Sequence, residues 1–207
     1  MDTKRKKVEG DYRGELMRAR LLDATLAVIV QEGWAGASTP KVCKLAKVSR
    51  GAQTHHFPTK TSLFMAAIDR VARQYEGLVQ KRMSDLGDEQ KPLRAILEVI
   101  WESMLDDDYL YSVMEALVAA RTDPELRGPI SDLDHEAIIS MRSMAPDIAV
   151  SPESVERVAD AIELSIYMFR GMVVQRGIHD DEKYKGRLFE VWCDFIESAL
   201  EKDILPA

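Results

Sequence analysis

Cysteine is scarce in this chain: its 207 residues hold only two, Cys43 and Cys193. They lie far apart, each inside a helical pattern, which excludes a disulfide-stapled scaffold and marks both as reduced packing residues. Long hydrophobic runs are missing too, and none approaches the ~20 residues that cross a bilayer. The basic start, MDTKRKKVEGDYRGE, leads into no apolar stretch of the kind a secretory signal needs. The expectation is a cytoplasmic protein with no membrane partner. The spacings CxxC, GxxxxGK and GxGxxG do not occur, and His135-Glu136 opens like HExxH only to meet Ile139 where the second histidine belongs. No catalytic group, metal site or cofactor is expected.

What the chain does have is 46% hydrophobic residues beside 30% charged ones, enough to bury a core, so wholesale disorder is excluded. A net charge of -7 argues against a surface coated throughout for nucleic acid. That charge is unevenly spread. Residues 1–60 hold 12 Lys+Arg and 6 Asp+Glu, whereas the remaining 147 hold 16 and 29. Without the first ten residues, which include Lys4, Arg5, Lys6 and Lys7, the N-terminal part still holds 8 against 4. One end is therefore suited to an anionic partner, while the acidic remainder does something else.

Helical periodicity dominates, and no run alternates convincingly as a strand. The spacing predicts a first helix from about Arg13 to Glu32, with Leu22, Leu26, Ile29 and Val30 on one face and Gly33 as a left-handed stop. Thr39-Pro40 opens a short helix to about Ala46, capped by Ser38 or Thr39. After a three-residue turn, Ser49 caps a third helix through His55, and Pro58-Thr59 restarts the chain into a long fourth helix, about 59–83. The polar stretch from Leu86 to Pro92 reads as a junction. Amphipathic segments follow at about 92–106, 109–121 and 125–145, then two longer helices from Ser151-Pro152 to Gln175 and from Asp181 to Glu201. Short connections make neighbours antiparallel. The chain reads as all-α.

Short helix, three-residue turn, short helix is helix-turn-helix spacing. The residues meet its demands: Cys43 is small where the two helices cross, Val48 is an apolar plug for the turn, and Ser49-Arg50-Gly51 opens the second helix with a cap and groups that can face phosphate. A helix aimed end-on at DNA offers backbone N–H groups and the positive end of its dipole.

At these positions the sequence resembles the TetR family of one-component transcriptional regulators. Leu21-Leu22-Asp23-Ala24 through Glu32-Gly33-Trp34, then Ser38-Thr39-Pro40-Lys41-Val42-Cys43, then Val48-Ser49-Arg50-Gly51-Ala52 through His56-Phe57-Pro58-Thr59-Lys60-Thr61-Ser62-Leu63-Phe64 carry the likeness, in uninterrupted register over about 20–64. Three positions depart from it. Lys47 stands where the family usually has a turn glycine, Gln53 replaces a commonly apolar inward residue, and Thr54 replaces a common phosphate-touching tyrosine. If the turn needs φ > 0, lysine strains it modestly.

The resemblance implies an N-terminal helix-turn-helix domain, 1–58, joined by the long fourth helix to a helical effector-binding and dimerisation domain, 59–207. It assigns Ser49, Arg50, Thr54, His55 and His56 to DNA, with Thr39 and Lys60 clamping phosphates. Arg50 can take guanine bidentately and Gln53 can pair with adenine if it points outward. His56, beside Phe57, either braces the core or touches DNA; adjacent helical residues diverge by ~100°, so the His55-His56 pair is no metal site. Lys4 to Lys7 either follow a minor groove or add sequence-blind attraction. For the effector pocket the resemblance points to Trp101, Met104, Met114, Met141, Met144, Tyr167, Met168, Phe169 and Met172, with His135, Asp132, Asp134 and Arg170 as polar anchors. For a two-fold four-helix interface it points to Val158, Ile162, Ile166 and Val173 with Phe189, Trp192, Phe195 and Ile196. These are more apolar than one face requires, so that part of the stripe faces the protomer's own core and the remainder is left for a self-complementary patch. The expected protein is a homodimeric repressor on a palindromic operator, released when a small apolar effector between helices 4 and 8 shifts helix 4. The alternative is an all-α small-molecule-binding protein or enzyme whose N-terminal helices are only structural.

Overall fold

In the computed structural model the chain is described over residues 2–87, 92–105, 110–176, 178 and 181–201, without the side chains of 2–11, 105, 176 and 182. Nine α-helices occur among the described residues: α1 (Asp2–Gly36), α2 (Thr39–Ala46), α3 (Arg50–His56), α4 (Lys60–Asp85), α5 (Leu93–Leu105), α6 (Leu110–Ala120), α7 (Pro124–Arg142), α8 (Val155–Arg176) and α9 (Glu182–Glu201). No strand occurs among them, so the all-α reading holds. α1 begins well before Arg13, and its backbone includes Lys4 to Lys7, whose side chains lie outside the described residues. Residues 88–91 of the polar junction also lie outside them.

Compactness divides the chain into two units. One comprises residues 1–71 and 111–131, the other 72–110 and 132–207. α4 and α7 contribute to both. The first unit contains the helix-turn-helix and is called the head; the second is called the body.

In the head, α1 is broken at Gly33 (φ 69°, ψ 171°), a conformation open to glycine because it lacks Cβ. The break leaves the Trp34 N–H without an in-helix acceptor, and the Glu115 carboxylate on α6 accepts it at 3.1 Å. The Trp34 ring meets the buried Phe64 of α4 edge-on, 5.2 Å between centroids. Leu21, Leu22, Leu26 and Ile29 bury one face of α1, whereas Val30 is exposed rather than on that face.

Ser38 is the residue that precedes α2 in extended conformation, which settles the choice between Ser38 and Thr39. α2 ends at Lys47 in the left-handed region (φ 54°, ψ 45°). The turn does therefore impose φ > 0, and lysine occupies it at the cost that Cβ brings there, ~1–2 kcal/mol. The Arg20 guanidinium offsets part of this by donating to the Ala46 carbonyl and, at 3.4 Å, to that of Lys47, a cation on the negative end of the α2 dipole. The N–H of Val48 closes the turn onto Cys43 O at 3.0 Å.

Gln53 corrects the expectation of a base contact. Its side chain is 4% exposed, and its Nε2 donates to Phe57 O at 2.7 Å. It fills the inward position that the departure from the family had left open, and satisfies its own polarity locally. α4 then starts with a reciprocal cap: Ser62 N–H donates to Thr59 Oγ1 at 2.9 Å and Thr59 N–H to Ser62 Oγ at 3.1 Å.

The body is built on α5, α8 and α9. Trp101 lies near-parallel to Phe189 (5.7 Å, 19°) and tilted against Phe169 (5.2 Å), all three buried. Two arginines each gather three carboxylates. Arg94 on α5 pairs with Glu190 (2.6 Å), Asp194 and Glu197 (3.2 Å) on α9. Arg142 on α7 pairs with Glu156, Asp160 (2.7 Å) and Glu163 (2.7 Å) on α8. Much of the acidic excess on α8 and α9 is thus used to tie helices together. Burial pushes the Cys193 thiol up to about 12, and Cys43 is likewise buried and free, so neither is a disulfide partner.

Two outcomes follow for the head. Lys47→Gly removes the left-handed cost and raises stability by about 1 kcal/mol, read as a higher thermal midpoint by circular dichroism. Gln53→Ala leaves the Phe57 carbonyl without its donor and lowers stability by about 1–3 kcal/mol, read in the same melt.

Candidate nucleic-acid interface

α3 is held from one side and open on the other. Gln53 and Phe57 are buried, and the Arg18 guanidinium sits 5.3 Å from the Phe57 ring centre. Ser49, Arg50, Thr54 and His55 are exposed. The sorting follows from helical phase, since Gln53 and Phe57 are four apart and define the inner stripe.

The exposed side chains differ in what they have left to offer. Ser49 caps α3, its Oγ accepting the Ala52 N–H at 3.2 Å, so its hydroxyl proton stays available for an outside acceptor. Thr54 donates its hydroxyl to Arg50 O at 3.0 Å and presents its methyl group and lone pairs outward. That arrangement suits an apolar contact better than phosphate donation. Arg50 extends five guanidinium N–H donors from the first turn. His55 is exposed, whereas His56 is half-buried: its Cε1 lies 3.7 Å from where a Cβ on Gly14 would stand, so it leans on α1. The two rings meet edge-on at 5.5 Å.

Lys60 is exposed at the start of α4, its Nζ 4.9 Å over the Phe64 ring, and Thr39 is half-buried in the first turn of α2. Lys44 and Lys47, not among the sequence candidates, add two exposed cations at the end of α2. The signal was the three-residue spacing of Lys41, Lys44, Lys47 and Arg50. Lys41 is engaged otherwise, paired with Glu32 and donating to Gly36 O at 2.9 Å.

The expected effector lining does not form one wall. Trp101, Met104, Met141 and Phe169 are packed core in the body, and Met114 is buried in the head. Met168 and Met172 are half-buried, while Tyr167 and His135 are exposed. Tyr167 donates to Glu163 at 2.7 Å, and that bond holds its phenol above the usual range. Arg170 pairs with Asp134 at 2.7 Å, and Asp132 is exposed. Two clefts open in the body instead. One of about 790 Å³ is lined by Leu93, Ile148, Val150, Arg157, Val158 and Glu197, among others. The other, of about 220 Å³, lies between α4 and α7 and includes Met141 and Met144.

The expected dimer face is corrected in the same way. Val158, Ile162, Ile166, Val173, Phe189 and Ile196 are at most 5% exposed within one protomer. They are core. Phe195, at 60% exposure, stays on the surface with the half-buried Trp192, whose Nε1 donates to Ser165 Oγ at 2.8 Å. The exposed apolar residues are Leu164, Tyr167 and Val174 on α8, with Tyr184, Val191 and Phe195 on α9. Both sets recur at helical spacing, one step around from the core stripes. The sequence showed more apolar surface than one face needs, but not which half turned out.

Among the described residues no helix is long and apolar enough to cross a membrane, and no three His, Cys, Asp or Glu are grouped to hold a metal ion.

Comparison with known proteins bears on the head first. The family described as bacterial regulatory proteins, tetR family, matches residues 21–67. The HTH-type transcriptional regulator CymR of Pseudomonas putida is 37% identical over 110 residues, 53% of this chain, and the match spans about half, 54%, of that protein. Two solved structures share the fold over nearly the whole chain. A TetR-family transcriptional regulator from Mesorhizobium loti, so described provisionally, covers 91% of this chain and 96% of its own at a TM-score of 0.71 and 14% identity. The multidrug binding protein EbrR, complexed with imidazole, covers 84% and 93% at a TM-score of 0.60 and 22% identity. With the helix-turn-helix at 39–56 and the matching register around it, residues 21–67 of this chain carry the DNA-binding region of the tetR family of bacterial regulatory proteins.

Proposed function

We propose that the protein is a ligand-responsive transcriptional regulator, acting as a repressor that binds a palindromic operator as a homodimer. One observation carries the reading: α3 is pinned on its inner side by Gln53 and Phe57 and presents Ser49, Arg50, Thr54 and His55 outward. A rod of that kind enters the major groove, where Arg50 pairs with guanine O6 and N7 while Ser49, Lys60, Lys44 and Lys47 hold backbone phosphates. The tetR-family match over residues 21–67 and the regulator named CymR support it. Residues 1–58 are proposed as the DNA-binding part and 59–207 as the effector-binding and dimerisation part.

Dimerisation is supported by the apolar surface of Leu164, Tyr167, Val174, Tyr184, Val191 and Phe195, which lies outside the protomer's own core. A two-fold axis turns such a patch into its own complement. Two heads then read half-sites about one DNA turn, ~34 Å, apart. Ligand response is supported by the two clefts in the body, and by EbrR, a fold relative that binds imidazole. A ligand that prefers the non-binding conformation shifts the population away from DNA, with α4 carrying the change because it is one helix shared by both units.

Retardation of the DNA upstream of the protein's own gene tests the reading. Wild type should bind that DNA and lose it steeply as salt rises, as phosphate neutralisation requires. Arg50→Ala should weaken specific binding by ~1–3 kcal/mol, roughly five- to 150-fold, with little change in the melting curve. Wild-type binding that ignores salt, or an Arg50→Ala protein that binds equally well, would defeat it. For the dimer, Phe195→Glu should turn a two-protomer species into a one-protomer species by sedimentation at micromolar concentration.

A further inference from the structure

The smaller cleft has a polarity that the larger one lacks. Its lining is Glu76, Val79, Gln80, Met83 and Ser84 from α4, with Ser140 and Met141 from α7 and Ser143, Met144 and Asp147 just beyond it. Val79, Met83 and Met141 are buried and form an apolar floor. Glu76 is half-buried and Asp147 exposed, and no Lys, Arg or His lines the space. The larger cleft sets Arg157 beside Glu197 and Glu201, so its two acids are partly offset by a base in the lining itself.

At about 220 Å³ the smaller cleft equals the liquid volume of about seven waters. That is room for one ring and a short substituent. Two carboxylates without a lining base favour a positive charge, the more so because residues 61–207 hold 29 acids against 16 bases and set up an attractive field. Methionine sulfur and methylene surfaces adapt to a flat apolar body. A bare metal ion is a poor occupant, since no three metal-ligating side chains are grouped among the described residues.

We propose that this cleft binds a small organic cation, an amidinium or ammonium carried on a compact apolar body, with Glu76 and Asp147 as its counter-charges. This deepens the ligand-responsive reading above, and rests on that reading only for its consequence at DNA. The consequence has a route. Ser140 Oγ donates to Glu76 Oε1 at 2.8 Å, joining α7 to α4 beside the cleft. The head portions of the same two helices are joined by Thr61 Oγ1 donating to Glu125 Oε2 at 3.1 Å. A cation that draws the Glu76 carboxylate away from Ser140 acts on a helix pair that also belongs to the head.

Titration of the full chain with benzamidine, benzamide and benzoate, three near-isosteres of charge +1, 0 and -1, tests this by calorimetry. Benzamidine should bind at least tenfold more tightly than benzamide, and benzoate not measurably. The double variant Glu76→Gln with Asp147→Asn should lose that preference while its unliganded melting curve stays cooperative; glutamine still offers Ser140 an acceptor, so folding is kept. Equal affinity for benzamidine and benzamide, or a preference that survives in the double variant, overturns the site. Adding benzamidine to the DNA complex then separates the two claims. Charge-selective binding that leaves the DNA bound upholds the site and defeats its role in release, whereas failure of the unliganded protein to retard DNA defeats the regulator reading alone.

Discussion

A helix of seven residues is not stable by itself in water, because nucleation costs more than so few hydrogen bonds return. α3 is such a helix, and what keeps it formed is its attachment from behind. The Gln53 amide donates to the Phe57 carbonyl, the Phe57 ring is buried beneath the Arg18 guanidinium, and Ser49 closes the front end. Everything that faces outward does so because these groups face inward. An outward Gln53 would leave a hole under the helix and the Phe57 carbonyl without its donor. The arrangement here favours the scaffold.

The same logic organises the charge. The head keeps Lys44, Lys47, Arg50 and Lys60 exposed, while Arg20 and Lys41 serve carbonyls and a carboxylate within the fold. The body spends its acids in two three-carboxylate clusters around Arg94 and Arg142, and leaves Glu76 and Asp147 at a cleft with no base in its lining. Net charge alone would have argued against nucleic acid. Its placement makes one portion attractive to a polyanion and another attractive to a cation.

Much of this was legible in the sequence. Gly33, Pro40, Ser49 and Pro58-Thr59 are local signals whose physics is carried by one or two residues, and the helices they delimit lie close to where those signals put them. The φ > 0 at residue 47 stayed conditional in the sequence, because the only pointer to it was the glycine that the family usually has there. What the sequence could not resolve was rotational phase. α8 and α9 are apolar on two faces, so Ile162 and Leu164 look equivalent along the chain, yet one is buried and the other exposed. Gln53 was ambiguous for a related reason: a polar residue at an inward position reveals itself only when its partner, here a carbonyl four residues on, is in place. Of the expected effector lining, Met141 and Met144 border a cleft, whereas Trp101 and Phe169 pack with Phe189 in the core, a difference set by packing partners far apart in sequence.

The hydrogen bond between the Trp34 amide and Glu115 bears on how such a protein can be taken apart. A carboxylate 81 residues downstream completes the break in α1, and residues 111–131 fold into the same unit as the helix-turn-helix. A fragment cut after the recognition helix would therefore lack part of its own interior. A chimera that transplants this helix-turn-helix unit onto another protein must carry two separate stretches of sequence, with the α6 acid among them.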